Sequence, residues 1–174
     1  MIEVITMNIK KLKTAEKKFF TKYPEGFEDP EMLKIIAKHK PEKMHQMAKD
    51  FFSKENFNNP SEVLTNMTKM ISRSSMVSVF EKPKFRDYAL SLNAKDSLTL
   101  VRGLEKFLHG DQKKQEVGFN EMLEILQKDK LGKWTLMTII PVYLKPTKEV
   151  YIKPTTVKGV IDFFELEGIK YNAT

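Results

Sequence analysis

The sequence contains no cysteine, a single tryptophan and only three arginines among its 30 basic residues. The lack of cysteine excludes a disulfide framework, a thiolate metal site and a cysteine nucleophile. No stretch approaches the roughly 18 consecutive apolar residues that a membrane-spanning helix requires. The N-terminal segment also lacks an apolar secretory stretch followed by small residues. We therefore expect a cytoplasmic protein with no membrane partner.

The scarcity of arginine affects what the positive charge indicates. The 174 residues carry a formal charge of +7, which favours anionic partners such as nucleic acid. Arginine supplies the bidentate group that grips phosphate and guanine, whereas lysine is a hydrated point charge that also serves solubility. Six lysines lie between Lys10 and Lys22, with Glu16 as the only acid among them. This run is either a solvated helix face or a surface that binds an anion.

The chain has no linker rich in glycine, serine or proline. Its 174 residues are enough for one well-buried core, and 41% hydrophobic with 30% charged residues is typical of a globular protein. We predict a single domain over residues 1–174, with a helical part at 1–131 and a second part at 132–174 that packs on it.

Helix starts are marked by proline at the first helical position, where its missing N–H costs nothing. Three starts of this kind are Asp29-Pro30, Lys40-Pro41 and Asn59-Pro60. Apolar residues at helical spacing follow each start, and further stripes begin at Phe85, Leu100 and Phe119. With a basic helix from about Thr14 to Lys22, about seven helices are predicted before residue 131. The polar stretch 112–118 contains a glycine and predicts a loop.

Ten methionines lie mostly on these helical stripes. Their unbranched thioether side chains suit irregular gaps in a core. The alternative is a methionine-lined groove that binds a partner's helix. Both interpretations keep the methionines on the apolar sides of the helices.

The segment from Lys133 is rich in β-branched and aromatic residues and predicts strands. It contains one phrase twice, Tyr-Leu-Lys-Pro-Thr at 143–147 and Tyr-Ile-Lys-Pro-Thr at 151–155. A small antiparallel hairpin would pair Tyr143 with Tyr151 across the strands, with the turn at residues 145–149. Each proline would then end its strand, because it cannot donate to the ladder.

A last helix is predicted from roughly Thr155 to Glu167, with Gly168 as its stop. Its charges oppose the helix dipole, which favours acids near the N-terminus and bases near the C-terminus. Lys153 and Lys158 flank the start, whereas three acids crowd the end: Asp162, Glu165 and Glu167. Such a broken local rule is more common at functional sites.

The start of this last helix is the candidate anion-binding site. Free backbone N–H groups, the hydroxyls of Thr155 and Thr156, and the amines of Lys153 and Lys158 could converge on a phosphate or carboxylate. Lys145 could reach in from the hairpin turn. In the alternative interpretation, Thr155 caps its own helix and the lysines point into water. No glycine-rich cradle is present, so the motif is not a nucleotide P-loop.

No residue set indicates catalysis, a metal or a cofactor. The three histidines, His39, His45 and His109, lack the spacing of a zinc site, and no GxSxG nucleophile motif occurs. Two acid-x-lysine triplets, at 16–18 and 111–113, leave a metal-dependent nuclease as a minor alternative. We therefore assign no catalytic residue, no metal ligand and no cofactor.

The sequence predicts a mainly α fold of about seven to eight helices with a small hairpin near the C-terminus. Two classes of function follow. The first is a non-enzymatic protein that binds nucleic acid or a phosphorylated ligand through the N-terminal lysines and the Lys153–Lys158 segment. The second is a protein-interaction or accessory subunit whose methionine and aromatic surfaces contact another protein.

Overall fold

The structure, a computed structural model, describes residues 5–172 and is mainly helical, as the sequence predicts. The described residues form two compact units: unit 1 comprises 5–40 and 152–172, and unit 2 comprises 41–151. The single domain over 1–174 stays a prediction, and its residues 1–4 and 173–174 lie outside the described range. Nine α-helices and two 3₁₀ helices occur within that range: α1 (Ile9–Lys22), η1 (Gly26–Glu28), α2 (Pro30–Ala37), α3 (Pro41–Phe52), η2 (Lys54–Asn58), α4 (Pro60–Arg73), α5 (Glu81–Ser91), α6 (Ala94–His109), α7 (Gln112–Gln127), α8 (Trp134–Leu144) and α9 (Pro154–Phe164).

The three helix starts marked by proline are confirmed at α2, α3 and α4. The Asp29 carboxylate accepts a hydrogen bond from the backbone N–H of Glu31 at 2.9 Å. Asn59 accepts from the backbone N–H of Glu62, and its amide donates to the Glu62 carboxylate. The bonds from Glu31 and Glu62 satisfy backbone N–H groups that have no acceptor within the helix. The bond between the Asn59 and Glu62 side chains holds the capping residue in place.

The core of unit 2 is built around α8, which packs against α3, α4 and α7. Residues 136–141 of α8 are all buried, on every side of the helix. The apolar stripes predicted on α3 to α7 face this core and include four fully buried residues: Met67, Met70, Leu104 and Leu126. The stripe predicted on α2 lies in unit 1 and contains no buried residue. For Met67 and Met70, core packing is therefore the correct interpretation.

The predicted β-hairpin is wrong. Among residues 5–172 no strand occurs, and the one β-pairing is an isolated bridge between Thr6 and Glu167. The first predicted strand is α8, and residues 145–153 connect it to α9 without strand pairing. A short apolar segment buried on all sides loses the helical period of apolar and polar residues, so its pattern cannot be distinguished from that of a buried strand.

The two tyrosines of the repeated phrase share a structural role instead of pairing. Tyr143 is hydrogen-bonded through its hydroxyl to the buried Ser74 hydroxyl at 2.8 Å. The Tyr151 hydroxyl donates to the backbone carbonyl of Met76, also at 2.8 Å. Both therefore fix the connection between α4 and α5. Burial raises the pKa of Tyr143, and that of Tyr151 rises to about 12 through burial and the neighbouring Glu81 charge.

The predicted loop at 112–118 is also wrong, because it forms the first half of α7. Asp111 caps this helix by accepting from the backbone N–H of Lys114 at 2.9 Å. Gly118 is buried where α7 crosses α6. An added Cβ at Gly118 would meet the carbonyl oxygen of Gly103 and lie 2.6 Å from the backbone nitrogen of Phe107. The glycine thus permits close helix packing and does not mark a turn.

Unit 1 contains α1, η1, α2 and α9 and has little buried apolar surface. Among the described residues, Tyr23 is its only buried large apolar side chain. Helices α1 and α9 are in contact, and α2 contacts η1. No helix in the described range is long and apolar enough to span a bilayer.

Candidate binding surface on the first helix

Helix α1 begins five residues before the predicted Thr14, because Asn8 caps it. The Asn8 side chain accepts from the backbone N–H of Lys11 at 3.1 Å. The earlier start adds Ile9 and Leu12 to the helix. They extend the apolar side that Phe19 and Phe20 form, while all six lysines of the run also lie on α1. The result is a basic amphipathic helix with no fully buried residue.

Three lysines of α1 line a shallow furrow. Lys10, Lys13 and Lys17 follow the spacing i, i+3, i+7, which places them on one side of the helix, and all three are exposed. Ile9 and Thr14 complete the lining. No ion pair within the described range involves any of the three amines. We call this feature the lysine furrow.

An apolar groove runs beside the lysine furrow. Its volume is about 630 Å³ and it is open to solvent. Half-buried Phe19 is part of its lining, and its ring centroid lies 5.4 Å from those of Phe20 and Phe27. Ile9, Phe20 and Phe27 are 52%, 50% and 71% exposed. Eight residues line this apolar groove: Ile9, Leu12, Lys13, Ala15, Glu16, Phe19, Phe20 and Phe27.

The apolar groove and the lysine furrow share a wall, because Ile9 and Lys13 line both. Glu16 is the only acidic residue of α1 and lies on the groove. At the far end of the helix, the amine of Lys22 lies 5.1 Å from the ring centroid of Tyr23. A hydrogen bond to Tyr23 raises the pKa of Lys22. One side of α1 therefore combines positive charge with exposed apolar surface.

The C-terminal end of α9 anchors the start of α1. The Glu165 carboxylate accepts from the Asn8 amide at 2.5 Å and from the Lys11 amine at 2.6 Å. These two hydrogen bonds, Asn8 first, lower the pKa of Glu165. The Asn8 backbone N–H also donates to the carbonyl of Phe164 at 2.8 Å. The acids at the wrong end of α9 are thus partly explained by a contact that only the fold creates.

The predicted anion site is brought together in part. Lys153, Thr155, Thr156 and Lys158 are exposed around the first turn of α9, and no side chain caps this helix. The Lys158 amine lies 5.2 Å from the ring centroid of Tyr171. Lys145 belongs to unit 2, where its amine donates to the carbonyl oxygen of Leu108. Its charge is therefore already engaged within unit 2.

The remaining candidate residues have structural contacts. A ring nitrogen of His45 donates to the carbonyl oxygen of Tyr143 at 2.7 Å, and one of His109 donates to that of Phe52 at 2.9 Å. The acid of the 111–113 triplet caps α7. Within residues 5–172, no three histidine or acidic side chains cluster as metal ligands.

The apolar groove is the feature that the sequence analysis missed. Its signal was present, because Ile9, Leu12 and Phe20 recur at helical spacing between the lysines. The contribution of Phe27 could not be found this way, since η1 brings it to α1 from beyond the helix end. Comparison with protein-family models, with curated proteins and with solved structures gives no match to this chain.

Proposed function

We propose that the protein is a non-enzymatic binding protein that engages an anionic partner through the lysine furrow of α1. The observation that carries this proposal is the alignment of Lys10, Lys13 and Lys17 on one side of a helix. Their amines are exposed and positive, and repulsion among them falls when an anion binds. Lysine contacts to a polyanion also release counterions, which adds a favourable entropy of binding.

The start of α9 is a second basic surface in the same unit. Lys153 and Lys158 are exposed, and the first helical N–H groups lack a side-chain cap. A phosphate or carboxylate would be favoured there by the helix dipole. We include these residues, with Thr155 and Thr156, as a subsidiary contact of the same anionic partner.

Protein interaction is the second candidate, and one observation favours it. Of the seventeen large apolar side chains that are exposed in the described chain, eleven lie in unit 1, the shorter unit. Contiguous exposed apolar surface is typical of interaction sites. The apolar groove makes this candidate compatible with the first, since a protein can be the anionic partner.

The test is a fluorescence-anisotropy titration against three labelled polyanions: a 20-mer duplex, a 20-mer single strand and polyglutamate, at low and near-physiological salt. We expect salt-sensitive binding that the Lys10→Ala/Lys13→Ala/Lys17→Ala variant weakens. Each lost phosphate contact reduces the slope of log affinity against log salt by about 0.9 on duplex DNA, so a full effect is about three. Alanine preserves the helix, because it has the highest helix propensity.

The matched control removes three exposed lysines of unit 2, Lys43, Lys49 and Lys113, and leaves the same net charge. Equal losses in the two triple variants would mean a diffuse charge effect and would contradict the proposal. So would the absence of binding to all three polyanions at low salt. A Lys153→Ala/Lys158→Ala variant measures how much of the polyanion affinity comes from the surface at the start of α9.

A further inference from the structure

The shared wall of the lysine furrow and the apolar groove restricts which anion can fill both. Ile9 and Lys13 belong to both features, so one ligand lying along α1 meets positive charge on one side and apolar side chains on the other. A nucleic-acid backbone would neutralise the lysines but would leave Phe20 and Phe27 in water. A ligand with an acidic stripe beside an apolar stripe uses the whole surface.

We propose that this ligand is an acidic amphipathic helix of a protein partner. The inference rests on the proposed function, because it uses the same lysines, and it goes further by naming the partner's chemistry. An amphipathic helix that places its apolar face in a groove is a common recognition mode, anchored at positions i, i+3, i+4 and i+7. Because the lysines of the furrow recur at helical spacing along α1, they can face a stripe of acids on a second helix that lies along it.

The dimensions agree with one helix lying along another. Lys10 and Lys17 are seven residues apart, which corresponds to about 10 Å along α1. Carboxylates two turns apart on a partner helix are separated by the same distance, so each can form a charge-assisted hydrogen bond with a lysine amine. The partner's neighbouring apolar side chains then enter the apolar groove and contact Ile9, Phe20 and Phe27.

Glu16 sets the orientation of the charges. It lies on the apolar groove, where it would repel a partner's carboxylate. The partner's acids are therefore confined to the side that faces the lysine furrow. This requirement distinguishes an amphipathic helix from an acidic tail with charge on all sides, and it supplies repulsion against the wrong register.

The test uses the whole protein and a labelled acidic peptide of about 20 residues, long enough to form helix. The peptide carries leucines at i, i+3, i+4 and i+7 and glutamates on one flank. An isomer of scrambled order and an analogue with glutamine in place of glutamate are the ligand controls. Anisotropy gives the Kd, and a 20-mer duplex and anionic phosphatidylglycerol vesicles are titrated in parallel.

We expect the peptide to bind at least about tenfold more tightly than either control peptide. The variant Ile9→Ala/Phe20→Ala should weaken binding about tenfold or more, as should the lysine-furrow triple variant. The matched control, Leu90→Ala/Phe80→Ala, removes side chains from unit 2 that are 78% and 84% exposed, and should leave the Kd unchanged. Far-UV circular dichroism verifies the fold of each variant.

The outcomes separate the inference from the proposed function. If the lysine variant weakens peptide binding and the groove variant does not, the helix inference fails and the proposed function stands. The same conclusion follows if the duplex binds and the peptide does not. Preference for vesicles over the peptide would overturn the inference in favour of a lipid surface. If no anionic ligand binds, both proposals fail.

Discussion

Tyr143 and Tyr151 show how two copies of one short phrase come to hold the same connection. Tyr143 lies near the end of α8 and Tyr151 lies in the segment before α9, yet both hydroxyls reach the residues that join α4 to α5. The Ser74 hydroxyl also accepts from the backbone N–H of Met76 at 3.1 Å. The connection is thus tied by three hydrogen bonds and not by strand pairing.

The Tyr151 hydroxyl predicts a loss of stability in alkaline solution. Its pKa is about 12 in the folded protein and near 10 when unfolded, so between these values the folded state keeps a proton that the unfolded state releases. This contribution to the free energy of unfolding is complete below about pH 10 and is lost as the pH rises toward about 12. The free energy of unfolding, measured by urea denaturation across this pH range, should change less with pH for Tyr151→Phe than for the wild type.

Near neutral pH, Tyr151→Phe should also lower the free energy of unfolding by about 1 kcal/mol, because the Met76 carbonyl loses its donor. If the free energy of unfolding of the variant and of the wild type changed identically with pH in alkaline solution, the pKa of the Tyr151 hydroxyl would not be raised by folding. The sequence singled out Tyr151, but as a strand partner of Tyr143, which is wrong. Its actual partner was not identified, since Met76 is far away along the chain.

At the scale of elements, α6 and α7 make the most extensive helix–helix contact among the described residues. Gly103 and Gly118 face each other where the two backbones cross. The ion pair Lys106–Glu121 joins the same helices, and Lys128, the residue that follows α7, forms a second ion pair with Asp96 of α6. The ion pairs are partly exposed and contribute little, so the close approach itself should determine the stability of this pair.

Gly118→Ala should therefore destabilise the protein by about 1–3 kcal/mol, because the new methyl group must push the two backbones apart. The control is Gly159→Ala in α9, where an added Cβ meets nothing within 4 Å. That change should stabilise α9 by about 0.5–1 kcal/mol through helix propensity. Urea denaturation monitored by circular dichroism measures the change in the free energy of unfolding for both variants. Equal changes for the two substitutions would contradict the role of Gly118 in close helix packing.

Most elements in which one face of a helix meets solvent were predictable from the sequence. The starts of α2, α3 and α4 and the apolar stripes of α5, α6 and α7 follow from caps and period alone. The prediction failed for α8, where burial on all sides removes the period. It also failed for residues 112–118, where Gly118 serves helix packing.

At the scale of the whole molecule, burial is unequal between the two units. The buried apolar core belongs to unit 2, apart from Tyr23. Helices α1, α2 and α9 contain no buried residue. Segments with few buried apolar contacts open with a smaller free energy than the core does.

Hydrogen exchange should therefore be faster throughout unit 1 than in the core helices of unit 2. We expect amides of α1, α2 and α9 to exchange before those of α4, α6 and α8 when peptides are followed by mass spectrometry. Binding of the acidic peptide should slow exchange in α1 specifically. Protection of α1 equal to that of α8 in the free protein would contradict the expectation.

The sequence by itself determined the helical class, the capped starts and the basic character of α1, because each depends on neighbours within a few turns of the chain. The tertiary structure decided that the segment around Tyr143 is a helix and that Glu165 anchors α1. It also decided that Phe27 completes the apolar groove. The first two outcomes depend on residues distant in sequence, and the third depends on the turn between α1 and η1. None of these contacts leaves a periodic signal in the local pattern.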